Sequence, residues 1–177
     1  SNEEKGVRFN VDGPMSERLI EILSFRPTNA QLRVIGEIKK DMSSHHPMNR
    51  LIQGDVGSGK TIVAIAAMVI ASENGYQAAM MAPTEILAEQ HNINMKKIID
   101  SLGIKSCLLI NGMGQKEKRE TLKKIADGEA GIIFGTHAII QEEVRFKNLG
   151  LAVIDEQHKF GVMQRATLKK KGYNPDI

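Results

Sequence analysis

The chain has no tryptophan, and aromatic residues make up only 4% of its 177 residues. A core without large rings has to be assembled from Ile, Leu, Val, Ala and Met side chains. The single cysteine, Cys107, lies in an apolar run, excludes an internal disulfide and is typical of a reducing, intracellular setting. No apolar run approaches the ~18 residues of a membrane span, so we expect a cytoplasmic protein without a membrane partner.

The chain also lacks a large excess of positive or negative charge. The chain has 24 Lys and Arg residues against 21 Asp and Glu residues, a formal net charge of +3. This balance permits a nucleic-acid partner but does not require one. The length suits one domain with a full hydrophobic core. The first and last residues, 1–5 and 174–177, look like the cut ends of a longer chain.

One segment is far more specific than the rest. Residues 54–61 read Gly-Asp-Val-Gly-Ser-Gly-Lys-Thr, a complete G-x-x-x-x-G-K-S/T phosphate-binding loop. Its glycines allow successive backbone N–H groups to point inward at an anion. Lys60 can reach the β and γ phosphates of a nucleotide, and the Thr61 hydroxyl can bind Mg²⁺. An apolar stretch suited to a strand precedes the loop and one suited to a buried helix follows it, so we predict nucleoside triphosphate binding.

The order of elements predicts an α/β fold. Short apolar runs that suit buried strands alternate with longer segments that suit helices. Strands are predicted at 51–53, 77–82, 105–110, 131–134 and 150–154. Helices are predicted at 14–25, 28–42, 61–74, 84–102 and 115–126. This is the pattern of an open, mostly parallel sheet flanked by helices on both faces, with the phosphate loop at the carboxyl end of a strand, where such sheets bind ligands.

A second candidate site lies at the end of the last of these strands. Residues 151–156 read Leu-Ala-Val-Ile-Asp-Glu, an apolar run that ends in two carboxylates. Opposite a phosphate loop, Asp155 can hold Mg²⁺ and Glu156 can orient and deprotonate an attacking water. An acidic pair alone is weak evidence. In a chain that already has the loop, the combination favours hydrolysis over binding alone, although a regulatory module that binds nucleotide without hydrolysing it stays an alternative.

Gln157 and His158 extend the acidic pair to Asp-Glu-Gln-His, and with this tetrad the chain resembles the superfamily 2 helicases. Three stretches carry a closer resemblance: the phosphate loop, the Pro-Thr-Glu-Ile-Leu-Ala-Glu-Gln-His of residues 83–91, and residues 135–165. They are similar to the RecG family of ATP-dependent DNA helicases, which remodel stalled replication forks. The motor of transcription-repair coupling factors and a superfamily 2 motor that acts on RNA are the alternatives.

The resemblance implies a P-loop NTPase domain of the RecA-like kind. It places the first of two RecA-like motor domains over residues 27–177, with residues 1–26 as a helical lead-in. It implies ATP and Mg²⁺ as cofactors, and branched or duplex DNA as the partner of the full-length protein. The second RecA-like domain and a fork-binding wedge domain would lie outside this chain. We expect the chain alone to bind nucleotide, to hydrolyse little or none of it, and to unwind nothing.

The resemblance also implies roles for individual residues. Lys60, Asp155 and Glu156 would be catalytic, with Thr61 and Asp155 at the metal. Gln157 and His158 would couple the nucleotide state to the second motor domain. The predicted nucleotide-binding residues are Phe25, Gln31, Gly54, Asp55, Val56, Gly57, Ser58, Gly59, Lys60 and Thr61. The predicted DNA-binding residues are Thr84, Glu85, Gln90, Gly135, Thr136 and His137.

Structural roles compete with ligand contacts at some of these positions. Gln31 is implied to read adenine, but it also completes a capping box with Thr28. Thr84 also suits a helix N-cap, and Thr136 a solvated turn. Residues 111–113 read Asn-Gly-Met where the family commonly has Thr-Gly-Ser. In the family, the Thr and Ser hydroxyls of this motif are implied to contact DNA. Asn111 and Met113 have no hydroxyl, and the Asn111 amide could take over such a contact.

Overall fold

The computed structural model describes residues 13–22, 29–43, 50–54, 61–155 and 174–175. Its helices are α1 (Pro14–Ile22), α2 (Asn29–Met42), α3 (Thr61–Glu73), α4 (Glu85–Ser101) and α5 (Gln115–Ala126), with a short 3₁₀ helix at His137–Ile140. Its strands are β1 (Arg50–Gly54), β2 (Gln77–Met81), β3 (Ser106–Leu109), β4 (Ile132–Gly135), β5 (Leu149–Asp155) and β6 (Asn174–Pro175). Each predicted helix and strand has a counterpart among the described residues, and residues 23–25 and 28 of the first two predicted helices lie outside them. The 3₁₀ helix and β6 were not predicted.

The six strands form one sheet in the order β3-β4-β2-β5-β1-β6, and every neighbouring pair is parallel. Parallel strands need crossover connections, which are usually helical. Here α3 joins β1 to β2, α4 joins β2 to β3, and α5 joins β3 to β4. The carboxyl ends of the strands therefore lie at one edge of the sheet. This topology confirms the predicted open, parallel α/β fold.

The core is divided between the two faces of the sheet. Along β2, Ala78 and Met80 belong to a cluster with α3 and α4, whereas Ala79 and Met81 belong to a cluster with α5 and the 3₁₀ helix. This alternation follows from the two-residue period of a strand. Phe134 is the one aromatic residue among the largest fully buried side chains of the described residues, and the others are aliphatic or methionine. The expectation of an aliphatic core is therefore confirmed.

Helix α1, part of the predicted lead-in, packs against α3. Leu19 lies in the same core cluster as the buried face of α3. The backbone N–H of Met15 donates to Oε1 of Glu73, at the end of α3, over 2.7 Å. The predicted boundary between residues 26 and 27 lies outside the described residues. No helix in the part of the chain that the structure describes has the length and apolar character to cross a membrane.

The buried side chain of Gln77 links neighbouring segments at the amino-terminal edge of the sheet, where the strands begin. Gln77 is only 4% exposed. Its Nε2 donates to the carbonyl oxygens of Ile125, at 2.8 Å, and Ala130, at 2.9 Å. Its Oε1 accepts from the backbone N–H of Asn148 over 2.9 Å. Because a buried amide is costly unless it is hydrogen-bonded, these bonds tie the end of α5 and the chain before β5 to the start of β2.

Candidate functional site

The start of the predicted phosphate loop and the predicted metal carboxylate meet at the carboxyl edge of the sheet. Strands β1 and β5 pair in parallel with Gly54, the first residue of the motif, directly opposite Asp155, the last residue of β5. Helix α3 begins at Thr61, the last residue of the motif. A helix that connects two parallel strands starts at their carboxyl edge, so the N-terminus of α3 faces the same side. Helix N-termini favour anions there.

Several predicted site residues lie outside the described residues. They are Phe25, Asp55, Val56, Gly57, Ser58, Gly59, Lys60, Glu156, Gln157 and His158. For Gln31, in α2, and Thr61, at the start of α3, the structure describes the backbone alone, and the capping partner Thr28 is also outside. The roles of all these residues in nucleotide binding, catalysis and coupling stay predictions.

The Asp155 side chain is fully buried and is held by a residue from another element. Its Oδ2 lies 3.0 Å from Nε2 of His91 on α4, whose side chain is 13% exposed. A carboxylate can only accept hydrogen bonds, so Nε2 carries the proton in this pair. Sequence reasoning assigned no role to His91. The available signal was a polar residue between Ala88 and Met95 on the inward-facing stripe of a helix.

This donor set suits Mg²⁺ in the presence of a nucleotide. The described residues contain no group of three or more His, Cys, Asp or Glu that could hold a metal ion. Mg²⁺ at nucleotide sites commonly takes only one or two carboxylates from the protein, with waters and phosphate oxygens as its other ligands. A single buried carboxylate, Asp155, opposite the first residue of a phosphate loop meets that requirement.

The predicted DNA-contact segments lie at the same edge, in the loops after three neighbouring strands. Thr84 follows β2, Asn111 follows β3 and His137 follows β4. The backbone N–H of Gly112 donates to Oε1 of Glu85 over 2.8 Å, and Nδ2 of Asn111 lies 3.5 Å from Nε2 of His137. We call these five exposed residues, Thr84, Glu85, Asn111, Gly112 and His137, the edge surface.

The structure separates exposed from buried members of the predicted DNA-binding set. Thr84 is the N-cap of α4, since its hydroxyl accepts from the N–H of Leu87 over 3.2 Å, and it is nevertheless exposed. Gln90, on α4, is exposed as well. Gly135 and Thr136 are buried. The alternative of a solvated turn at Thr136 is wrong, because this residue is 3% exposed and its hydroxyl caps the 3₁₀ helix. In that segment only His137 presents a side chain to solvent.

Comparison with known proteins gives the family. The model of the DEAD/DEAH box helicases matches residues 28–173, most of the chain. The chain belongs to the DEAD/DEAH box helicase family. The ATP-dependent DNA helicase RecG of Bacillus subtilis is 48% identical over 175 residues, which cover 99% of this chain and 26% of the relative. RecG of Streptococcus pneumoniae is 55% identical over 155 residues, covering 88% of this chain and 23% of the relative.

Solved structures of the helicase family agree with these sequence matches. A structure of RecG bound to a three-way DNA junction has a TM-score of 0.74 at 45% identity, covering 90% of this chain and 22% of that one. A DEAD box protein from Methanococcus jannaschii, at 19% identity and a TM-score of 0.58, shares the fold. The predicted resemblance to RecG helicases is therefore confirmed. The chain spans about a quarter of the length of the RecG relatives it matches.

Proposed function

We propose that the chain is the ATP-binding and ATP-hydrolysing motor domain of a DNA helicase or translocase that remodels branched DNA. The observation that carries the proposal is the parallel pairing of β1 with β5, in which Gly54 of the phosphate loop lies opposite Asp155. Hydrolysis needs both the phosphate-binding loop and a carboxylate that holds the metal. Similarity to RecG helicases, one of them seen on a three-way DNA junction, supports DNA as the partner.

The proposed roles at the nucleotide follow from the chemistry of each group. Lys60 binds the β and γ phosphates, while Thr61 and Asp155 hold Mg²⁺. The ion, when bound, neutralises charge that develops on the phosphate oxygens. Glu156 orients the attacking water and takes its proton. Gln157 and His158, which follow directly, report the nucleotide state to a second motor domain, and Phe25 and Gln31 contact the adenine.

The proposed DNA contacts are hydrogen bonds to backbone phosphates, which carry no sequence information. Hydroxyl and amide donors at Thr84, Gln90 and Asn111 and the imidazole of His137 suit this role. A carboxylate repels phosphate, so we assign Glu85 to holding the Gly112 loop in place. Gly135 and Thr136 are both buried, so in this proposal they support the surface and do not contact DNA with side chains.

The chain by itself is proposed to bind nucleotide and to turn it over slowly at most. Motor domains of this kind act in pairs, and the second domain supplies arginine side chains to the transition state. Where such arginine fingers have been measured, they accelerate phosphoryl transfer about 10³–10⁵-fold. Rapid DNA-stimulated ATP turnover by this chain alone would contradict the need for a second domain.

The deciding experiment compares ATP hydrolysis by the full-length protein with branched DNA, duplex DNA and RNA. We expect branched DNA to stimulate most, and Lys60→Ala to abolish both hydrolysis and fork remodelling. Glu156→Gln should retain ATP binding and lose turnover. Greater stimulation by RNA would identify an RNA-directed motor instead. Unchanged turnover in Glu156→Gln would favour the regulatory module.

A further inference from the structure

Helix α4 carries one ionisable residue on its buried side. Ala88, Met95 and Ile99 form the buried stripe of this helix. His91 follows Ala88 by three positions and precedes Met95 by four, so it lies on the same face. A polar side chain in such a place needs a hydrogen-bonding partner. Its partner is the fully buried carboxylate of Asp155, on β5, at 3.0 Å.

The N-terminal first turn of the same helix lies in the edge surface. Thr84 caps its first turn, and Glu85 in that turn accepts the hydrogen bond from Gly112. A helix rises 1.5 Å per residue, so His91 lies about 9 Å along the axis from Glu85. Fewer than two turns of one helix therefore separate Glu85, in the surface proposed to contact DNA, from His91, the partner of the carboxylate proposed to hold Mg²⁺.

We infer that His91 is a positioning residue that orients the Asp155 carboxylate for the metal, from a helix whose first turn lies in the edge surface. The inference rests on the proposed function. His91 contacts Asp155, so the proposed role is exerted through that residue. Hydrogen-bonding partners of metal-binding carboxylates fix the orientation of the ligand, and their loss typically costs about 10–100-fold in metal affinity or activity.

The test uses the full-length protein with substitutions at one position of α4 and a control on the same helix. His91→Ala and His91→Leu remove the N–H donor, and the leucine variant keeps an apolar side chain in the buried stripe. His91→Gln supplies an amide N–H at similar reach. Asn94→Ala is the matched control, because Asn94 is an exposed polar residue of α4.

Two readouts separate positioning from packing. The first is the affinity for a fluorescent ADP analogue, measured with and without Mg²⁺. We expect His91→Ala and His91→Leu to need about 10-fold more Mg²⁺ to reach half of the Mg²⁺-induced gain in affinity for the ADP analogue. Without Mg²⁺, their affinity for the analogue should stay within about twofold of wild type. The second is steady-state ATP hydrolysis, in which kcat with branched DNA should fall about 10–100-fold while KM for ATP changes little. His91→Gln should recover most of both losses, and Asn94→Ala should match wild type.

Other outcomes overturn the inference. Unchanged Mg²⁺ dependence in both donor-less variants would show that His91 does not position the metal ligand. If the affinity for the ADP analogue falls equally with and without Mg²⁺ and His91→Gln does not restore it, then His91 contributes only to the packing of α4. If wild-type protein neither binds nucleotide in a Mg²⁺-dependent way nor differs from Lys60→Ala in hydrolysis, the proposed function itself falls, and this inference falls with it.

Discussion

Gly54 and Asp155 are register partners across the parallel β1–β5 pair. The first residue opens the phosphate-binding motif and the second ends a strand far along the chain. Since both strands end at the same edge, the sheet itself brings the first residue of the phosphate-binding motif and the carboxylate together. The relationship therefore depends on strand pairing.

Replacing Asp155 with asparagine tests the proposed metal site. The amide has nearly the shape of the carboxylate but lacks its charge, so we expect the fold to persist. Mg²⁺-dependent nucleotide binding should weaken at least as much as on loss of a hydrogen-bonding partner of a metal ligand, about 10–100-fold. Nucleotide titrations with and without Mg²⁺ measure this. Asp100→Asn is the control, because that side chain is 50% exposed and its ion pair with Lys96, at 3.4 Å, is a surface pair. Equal behaviour of the two variants would count against a metal role for Asp155.

Replacing Glu85 tests whether it anchors the Gly112 loop. Glu85→Ala removes a hydrogen bond to a backbone N–H and an acidic residue from the first turn of α4. We expect the free energy of unfolding to fall by about 0.5–1.5 kcal/mol and DNA affinity to fall with it. Glu85→Gln keeps an acceptor oxygen and should lose less.

Chemical denaturation and DNA titrations check these expectations for Glu85, with the exposed Glu89→Ala on the same helix as the control. The sign of the change in DNA affinity is decisive. If removing the Glu85 carboxylate tightens DNA binding, then relief of phosphate repulsion outweighs any contribution of the anchored loop, and the expected role of this anchor in DNA binding is wrong.

Two glycines should respond in opposite directions to substitution by alanine. At Gly135, at the end of β4, an added Cβ would overlap the Leu109 carbonyl oxygen and lie 2.8 Å from Ile139 side-chain atoms. We expect Gly135→Ala to destabilise by about 1–3 kcal/mol or more. Gly36, inside α2, has open space where an alanine methyl group would lie, so Gly36→Ala should stabilise by about 0.5–1 kcal/mol. Denaturant unfolding of both variants against wild type measures the two shifts, and a tolerated Gly135→Ala would contradict this packing.

The thiol of Cys107 should react slowly in the folded protein. Burial raises its pKa from 9.0 to about 12, with an opposing effect from the positive charge of Lys124. The thiolate is the reactive form, so at pH 8 nearly all of the folded protein holds an unreactive thiol. Reaction with a disulfide reagent should be slow in native buffer and fast in denaturant, where the ordinary pKa returns. Fast native labelling at pH 8 would show that the thiol is not held in this protonated form.

Much of the fold could be predicted from local patterns. Short apolar runs and helical segments gave correct element types throughout the described residues, because a strand covered on both faces, such as β5, carries apolar residues on both of its faces up to Ile154. The two missed elements are short. The 3₁₀ helix at His137–Ile140 spans four residues and β6 spans two, too few to show a period.

The candidate site could be predicted only in its parts. Gly54–Thr61 and Asp155 were recognised as candidates from motif and chemistry. The contact between His91 and Asp155, the bond from Gly112 to Glu85 and the burial of Thr136 were not recognised. Each of these features depends on contacts between segments that are distant in the chain. The spacing of residues within one segment therefore cannot predict it.

The amino-acid sequence by itself determined the phosphate loop, the acidic end of β5 and the alternation of strands with helices, because glycine placement, charge and periodicity act over a few residues. Only the tertiary structure decided the strand order, which inserts β5 between β1 and β2. Buried apolar strands are nearly interchangeable as local patterns. Their pairing is selected by the packing of the whole core, a sum over many distant contacts.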